Sequence, residues 1–189
     1  MALQDPASLL ECLDTAPQAY LESLYGELRS VCLPDTSQKE IMTALRVCKR
    51  RVALAVGLYD ISGAWRIDEV THALTEAADA TISTAVRYLL QQGIKSGKLT
   101  GLDLEYPEND SGYFVIGMGK LGAFELNYSS DIDLIVFYDP ARTPMKTGEE
   151  PAPFFVRVTR DLAQLLQERT SDGYVWRTDL RLRPDPGAT

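Results

Sequence analysis

Asp131 and Asp133 stand two residues apart at the head of the apolar run Ile132 to Tyr138. In an extended strand residues i and i+2 share a face, so both carboxylates aim at one spot. Two anions held that close repel each other unless a cation lies between them or one takes up a proton. Magnesium, a hard ion that takes oxygen ligands and accompanies phosphates, meets that need. Just upstream lies the glycine-rich stretch Gly117-Met118-Gly119-Lys120-Leu121-Gly122, a turn able to hold phosphates. Together these features point to metal-assisted chemistry on a nucleotide.

A second segment adds to the set. From Tyr174 to Arg183 the residues alternate: Arg177, Asp179, Arg181 and Arg183 take one face, and Trp176, Thr178, Leu180 and Leu182 the other. If this strand pairs beside 131–138, Asp179 joins Asp131 and Asp133 as a third carboxylate. Three acids can hold two magnesium ions that clamp the attacking and leaving oxygens of an in-line displacement. The arginines then offer donors to non-bridging phosphate oxygens or to an incoming anion. Taken singly, each feature has a plainer reading. An Asp-x-Asp pair is often a solvated strand end, and alternating Arg and Asp can be a surface ladder of little energetic worth.

Gly117, Gly119 and Gly122 match G-x-G-x-x-G after a strand, as a dinucleotide fingerprint would. That fingerprint needs a long helix and then a second strand ending in an acid about 20 residues on. Here the next strand follows Gly122 too soon for a crossover of about 10–12 residues, and its acids stand at its start. The P-loop pattern G-x-x-x-x-G-K-[ST] does not fit either. Two readings stay open: a tight turn that needs glycine for its backbone alone, or a turn whose amides and Lys120 face phosphate oxygens. In the second, a short helix beginning near Ala123-Phe124-Glu125-Leu126 adds its positive end.

The elements that position these residues follow from periodicity. The first hundred residues read as helical. Leu9, Leu10, Leu13, Tyr20, Leu21 and Leu24 form an amphipathic segment interrupted at Pro17. A second helix starts at Thr36-Ser37, with Glu40 as capping-box partner of Ser37, and ends by Gly63. Its stripe is Ile41, Leu45, Cys48, Val52, Ala55 and Leu58, with Lys49, Arg50 and Arg51 off it. A third runs from Ile67 to Gln92, closed by Gly93 and Gly97. Tyr113 to Ile116 and Ile132 to Tyr138 read as strands, Asp139 to Pro153 as a proline-rich loop, and Phe154 to Glu168 as a helix. The fold class is α+β: a helical region over 1–105, then a small mixed sheet with flanking helices over 106–189.

Bulk properties narrow the function. The 189 residues carry 27 acidic and 19 basic side chains, a net charge of -8, which disfavours DNA or RNA as partner while allowing a small nucleotide in a local positive pocket. No apolar run reaches the roughly 18 residues a membrane helix needs, and the N-terminus lacks a signal-peptide pattern. Cys12, Cys32 and Cys48 have no metal-ligand spacing and read as reduced core side chains, which suggests a cytoplasmic protein. The single histidine, His72, falls within a helix and reads as structural or exposed.

A glycine turn, a short gap, Asp-x-Asp on a strand and a later acid on a neighbouring strand resemble the layout of polymerase-β-like nucleotidyltransferases. Within that superfamily the run Gly117 to Ile135 resembles the bifunctional glutamine synthetase adenylyltransferase/adenylyl-removing enzymes. Asp179-Leu180-Arg181-Leu182-Arg183-Pro184 resembles the second signature of that family, and Leu45 to Arg51 more loosely a basic helix that precedes the first. The resemblance covers most of residues 40–187. It implies a polymerase-β-like palm for 106–189, and magnesium, as two ions, on Asp131, Asp133 and Asp179. It also implies phosphate or nucleotide contacts from Gly119, Lys120, Gly122, Ser130, Arg181 and Arg183. Family members carry two such domains, one attaching AMP from ATP to a tyrosine of glutamine synthetase, the other removing it with phosphate to give ADP. Asn127 stands where the attaching copy more usually has glycine, so the run resembles the N-terminal, AMP-removing copy. The implied partners are glutamine synthetase, nucleotide and phosphate, with the PII signalling protein as a further effector. The resemblance also implies a longer enzyme in which more helices follow the arginine strand. An AMP-attaching domain and an inactive regulatory or docking fragment are the competing expectations.

Overall fold

A computed structural model describes residues 5–180 of the chain. Four helices come first: α1 (Pro6–Asp14), α2 (Pro17–Val31), α3 (Gln38–Ile61) and α4 (Ile67–Lys95). The proline at Pro17 opens α2, where its missing N–H costs nothing. The capping box is formed as the spacing predicts. Ser37 Oγ accepts from the Glu40 amide, and the Glu40 carboxylate accepts from the Ser37 amide at 2.8 Å. Ile41, Leu45, Cys48, Val52 and Ala55 are buried on one side of α3.

Two helix boundaries differ from expectation. Helix α4 passes through Gly93 and ends at Lys95. A Cβ at Gly93 would stand 2.6 Å from Phe154 Cζ, so this glycine serves close packing rather than helix termination. Gly97, at φ +69°, follows the helix end. The proline-rich loop is shorter than expected, because α6 (Pro151–Gln167) begins with proline in its first turn.

Among the described residues the sheet has three strands in the order β1 (Tyr113–Met118), β2 (Ile132–Tyr138), β3 (Thr178–Asp179). β1 and β2 are antiparallel; β2 and β3 are parallel, with α6 in the crossover between them. This is an α+β layout. The expected third strand runs from Tyr174 to Arg183, but the ladder is formed only at Thr178 and Asp179 among the described residues. The Val175 and Trp176 amides donate instead to the Leu166 carbonyl at the end of α6, which keeps Tyr174 to Trp176 out of the sheet. Residues 181–183 lie outside the described residues.

One face of the sheet packs on α4 and α6. Tyr113, Ile132 and Leu134 are buried there, with Phe155, Leu162, Leu165 and Leu166 from α6. Tyr113 stacks on Phe155 at 5.1 Å between ring centroids and shares a hydrogen bond of 3.1 Å with Thr159. Full burial of each such side chain contributes about 1.5–3 kcal/mol. The opposite face carries Phe114, Ile116 and Phe137, all substantially exposed, with Phe114 stacked on Phe137.

Two polar anchors tie the helical part to the strand region. Arg46 is buried within α3 and donates to the carbonyls of Met42 (2.9 Å), Gly173 (3.0 Å) and Glu168. Trp176 is buried, and its indole N–H donates to Thr81 Oγ1 of α4 at 2.9 Å. These contacts seat the segment that leads into β3. No helix among the described residues is long and apolar enough to cross a membrane.

Candidate functional site

Asp133 and Asp179 come into register where the three strands run side by side. Asp133 is paired with Met118 of β1 on one side and with Asp179 of β3 on the other. Directly paired residues point to the same face, so Asp133 and Asp179 present their carboxylates together. Their face is the open one, opposite buried Ile132 and Leu134. Asp131 precedes β2 and continues the alternation. The Ile132 amide donates to the Arg177 carbonyl at 2.8 Å, which extends the β2–β3 pairing back by one step and sets Arg177 beside Asp131.

Arg177 is the residue that motif reading did not single out. It was legible only as one of three arginines on the Asp179 face. Its Nε donates to Asp131 Oδ1, and a terminal nitrogen donates to the Ser129 carbonyl at 2.6 Å. That hydrogen bond and the adjacent charge raise the Arg177 pKa further above its ordinary range.

Between β1 and β2 the chain makes a single helical turn, α5 (Gly119–Gly122). The short helix expected near Ala123 to Leu126 is therefore shifted upstream and lasts one turn, too brief to offer a helix-end charge. Phe124 sits at φ +60°, which takes the chain out of helical geometry there. Each glycine of the motif has a steric reason. A Cβ at Gly117 would meet Leu121 Cγ at 2.8 Å, and one at Gly122 would meet the Gly117 carbonyl oxygen at 2.5 Å. Gly119 has φ +54°, and a Cβ there would stand 2.7 Å from Asp133 Oδ2. The turn backbone therefore lies directly against the carboxylate. Lys120 and Gly122 are exposed on this turn.

The link from the turn to Asp131 is held by Asn127. Its side-chain oxygen accepts from Ser130 Oγ at 2.8 Å and from the Ser129 amide at 3.3 Å. Ser130 is thus placed beside the acids with its hydroxyl directed at Asn127. Tyr128 donates to Asp60 at the end of α3 at 3.1 Å; burial, then this bond, pushes its pKa up to about 12. Arg181 and Arg183 lie outside the described residues. Lys49 and Arg50, off the α3 stripe, lie near the same segment: Lys49 Nζ is 5.7 Å from the Tyr174 ring centroid and 5.5 Å from that of Trp176, and Arg50 is 3.6 Å from Asp172. His72 is exposed and stacks on Phe124 at 5.2 Å.

The donor set is carboxylate oxygen only, which suits a hard cation. Among the described residues no group of three or more His, Cys, Asp or Glu side chains gathers around one point. Asp131 is turned to Arg177, and Asp133 and Asp179 are direct partners in the ladder. Magnesium typically needs only one or two carboxylates beside substrate phosphates, so the residues present fit it.

The whole chain, residues 1–189, matches the family model described as glutamate-ammonia ligase adenylyltransferase. Relatives named bifunctional glutamine synthetase adenylyltransferase/adenylyl-removing enzyme match it along its length. That of Bradyrhizobium diazoefficiens is 49% identical over 185 residues, covering 98% of this chain and 19% of the relative. That of Bradyrhizobium sp. strain BTAi1 is 50% identical over 177 residues, 94% of this chain and 18% of the relative. That of Rhodopseudomonas palustris strain CGA009 is 46% identical over 185 residues, 98% and 19%. The chain thus spans about a fifth of the length of these curated relatives.

Proposed function

Because this chain belongs to the glutamate-ammonia ligase adenylyltransferase family, we propose that it carries the adenylyl-removing site: phosphorolysis of the AMP-modified tyrosine of glutamine synthetase. The observation that supports a catalytic site is the register of Asp133 with Asp179, with the Gly119 backbone against the Asp133 carboxylate. The observation that favours the removing activity over the attaching one is Asn127. Its side chain knits Ser129 and Ser130 into the approach to Asp131, a job glycine could not do.

In this reading inorganic phosphate attacks the adenylyl phosphorus and the bond to the tyrosine oxygen breaks. The products are ADP and a free tyrosine hydroxyl, which takes its proton from the attacking phosphate. Asp133 and Asp179, with Asp131, would hold Mg2+, which when bound offsets charge on the attacking and leaving oxygens. The chain's own residues orient the reactants. The Gly119–Gly122 turn and Lys120 face the phosphates, and the arginines that alternate with Asp179 along the sequence, Arg177, Arg181 and Arg183, supply donors to phosphate oxygens. Glutamine synthetase is the protein substrate, and the PII protein belongs to the control of the longer enzyme. All of this takes place in the cytoplasm.

The test compares two reactions: AMP-modified glutamine synthetase with phosphate, and unmodified glutamine synthetase with ATP, each with and without Mg2+. Mg2+-dependent release of ADP in the first is expected. AMP attachment in the second alone would assign the attaching activity, and neither reaction, in a protein that binds neither Mg2+ nor any nucleotide, would assign a docking role. Asp133→Asn is expected to stop ADP release while thermal unfolding stays cooperative; normal turnover by the folded variant would refute the metal assignment.

A further inference from the structure

Four charged side chains share the open face of the sheet on two successive rungs. Asp133 lies beside Asp179, and Asp131 beside Arg177. The Arg177 guanidinium already offsets the Asp131 carboxylate, so a divalent cation drawn to this face competes with it for that acid. Among the described residues, Arg177 is committed to Asp131 through its Nε. We propose that Arg177 is the resident counter-ion of Asp131 and gives up that carboxylate when a divalent cation binds. This rests on the metal reading above.

The geometry suits an exchange. Side-chain exposures of 57% for Arg177 and 55% for Asp131 leave the pair in water. An exposed pair is weakly held, so it can break without stranding a buried charge. The guanidinium also has a second hold, the Ser129 carbonyl at 2.6 Å, and its backbone is pinned by the Ile132 amide. Released from Asp131, it therefore stays beside the rung. There its fork is free for an anion, so cation and phosphate binding favour each other through one side chain. Before the cation arrives, Arg177 relieves the repulsion between Asp131 and Asp133.

The test reads Arg177 directly. In arginine-selective nitrogen NMR its Nε–H resonance, assigned by its loss in Arg177→Lys, is expected to move toward the free-arginine position as Mg2+ is added. In Mn2+ titrations followed by electron paramagnetic resonance, Arg177→Ala is expected to bind about two- to fivefold tighter, the worth of an exposed pair. Asp133→Asn is expected to lose Mn2+ binding. A resonance unmoved at saturating Mg2+, or a folded Arg177→Ala that binds Mn2+ no tighter, overturns the exchange and leaves the metal reading standing. Absence of any Mn2+ binding sensitive to Asp133→Asn overturns both. If Arg177→Ala does not fold, the resonance in the unaltered protein decides.

Discussion

At Gly119 a positive φ of +54° and a carboxylate oxygen 2.7 Å from the missing Cβ coincide. Gly119→Ala is therefore expected to push Asp133 off its place, lowering ADP release in the proposed reaction at least tenfold, with a stability loss of about 1–2 kcal/mol. Steady-state phosphorolysis beside thermal melting would separate the two effects. Arg46 is the residue-scale case for stability. Its guanidinium is buried and bound to three carbonyls, and burial pulls its pKa down. Arg46→Met is expected to cost about 3 kcal/mol, read as a lower urea midpoint with an unchanged slope. Neither role was legible beforehand. Gly119 was readable as a turn residue, but its neighbour Asp133 is set by strand register. Arg46 stands beside the apolar stripe of α3, in a run of basic residues, where an arginine gives no local sign of the carbonyls it will meet.

Elements differ in how much of them a local pattern reveals. The start of α3 was readable because Ser37 and Glu40 satisfy each other within one turn. Ser37→Ala is expected to cost about 1 kcal/mol by chemical denaturation. The end of α4 was misread because the reason for Gly93 lies in Phe154, on another helix. Gly93→Ala is expected to cost about 1–3 kcal/mol through overpacking, and shortening Phe154 to Leu in the same protein should recover part of it. β2 was legible to the residue, since its alternation decides which side is buried. Its pairing with β3 was only conditional. Two residues of parallel ladder carry no signal of their own, and the anchors that seat them, Trp176 on Thr81 and Arg46 on Gly173, span long stretches of chain.

Across the whole molecule one apolar core runs from the helical region into the sheet, and all three cysteines lie in it as free thiols. Burial pushes the Cys48 thiol up to about 12 and Cys32 up to about 11, from an ordinary 9.0. A raised thiol pKa means the folded chain holds its proton more tightly than the unfolded one. That contribution is whole below pH 9 and is lost as pH rises through the window up to about 11–12. The urea midpoint is expected to fall between pH 8 and pH 10, and Cys48→Ala to flatten that fall. The α+β class was readable at this scale because the change from helical to alternating periodicity near Thr100 is abrupt. The exposed patch of Phe114, Ile116 and Phe137 was readable only in part, as the apolar end of a face that begins with acids.

Trp176 gives the molecule a built-in optical gauge. Its indole is enclosed and hydrogen-bonded to Thr81, three positions before Asp179. Only Trp65 shares its chromophore, so in a Trp65→Phe background the emission maximum belongs to this ring alone. A blue-shifted band would report that β3 is seated, and a red shift under mild denaturant would time the departure of Asp179 from Asp133 before the helices melt.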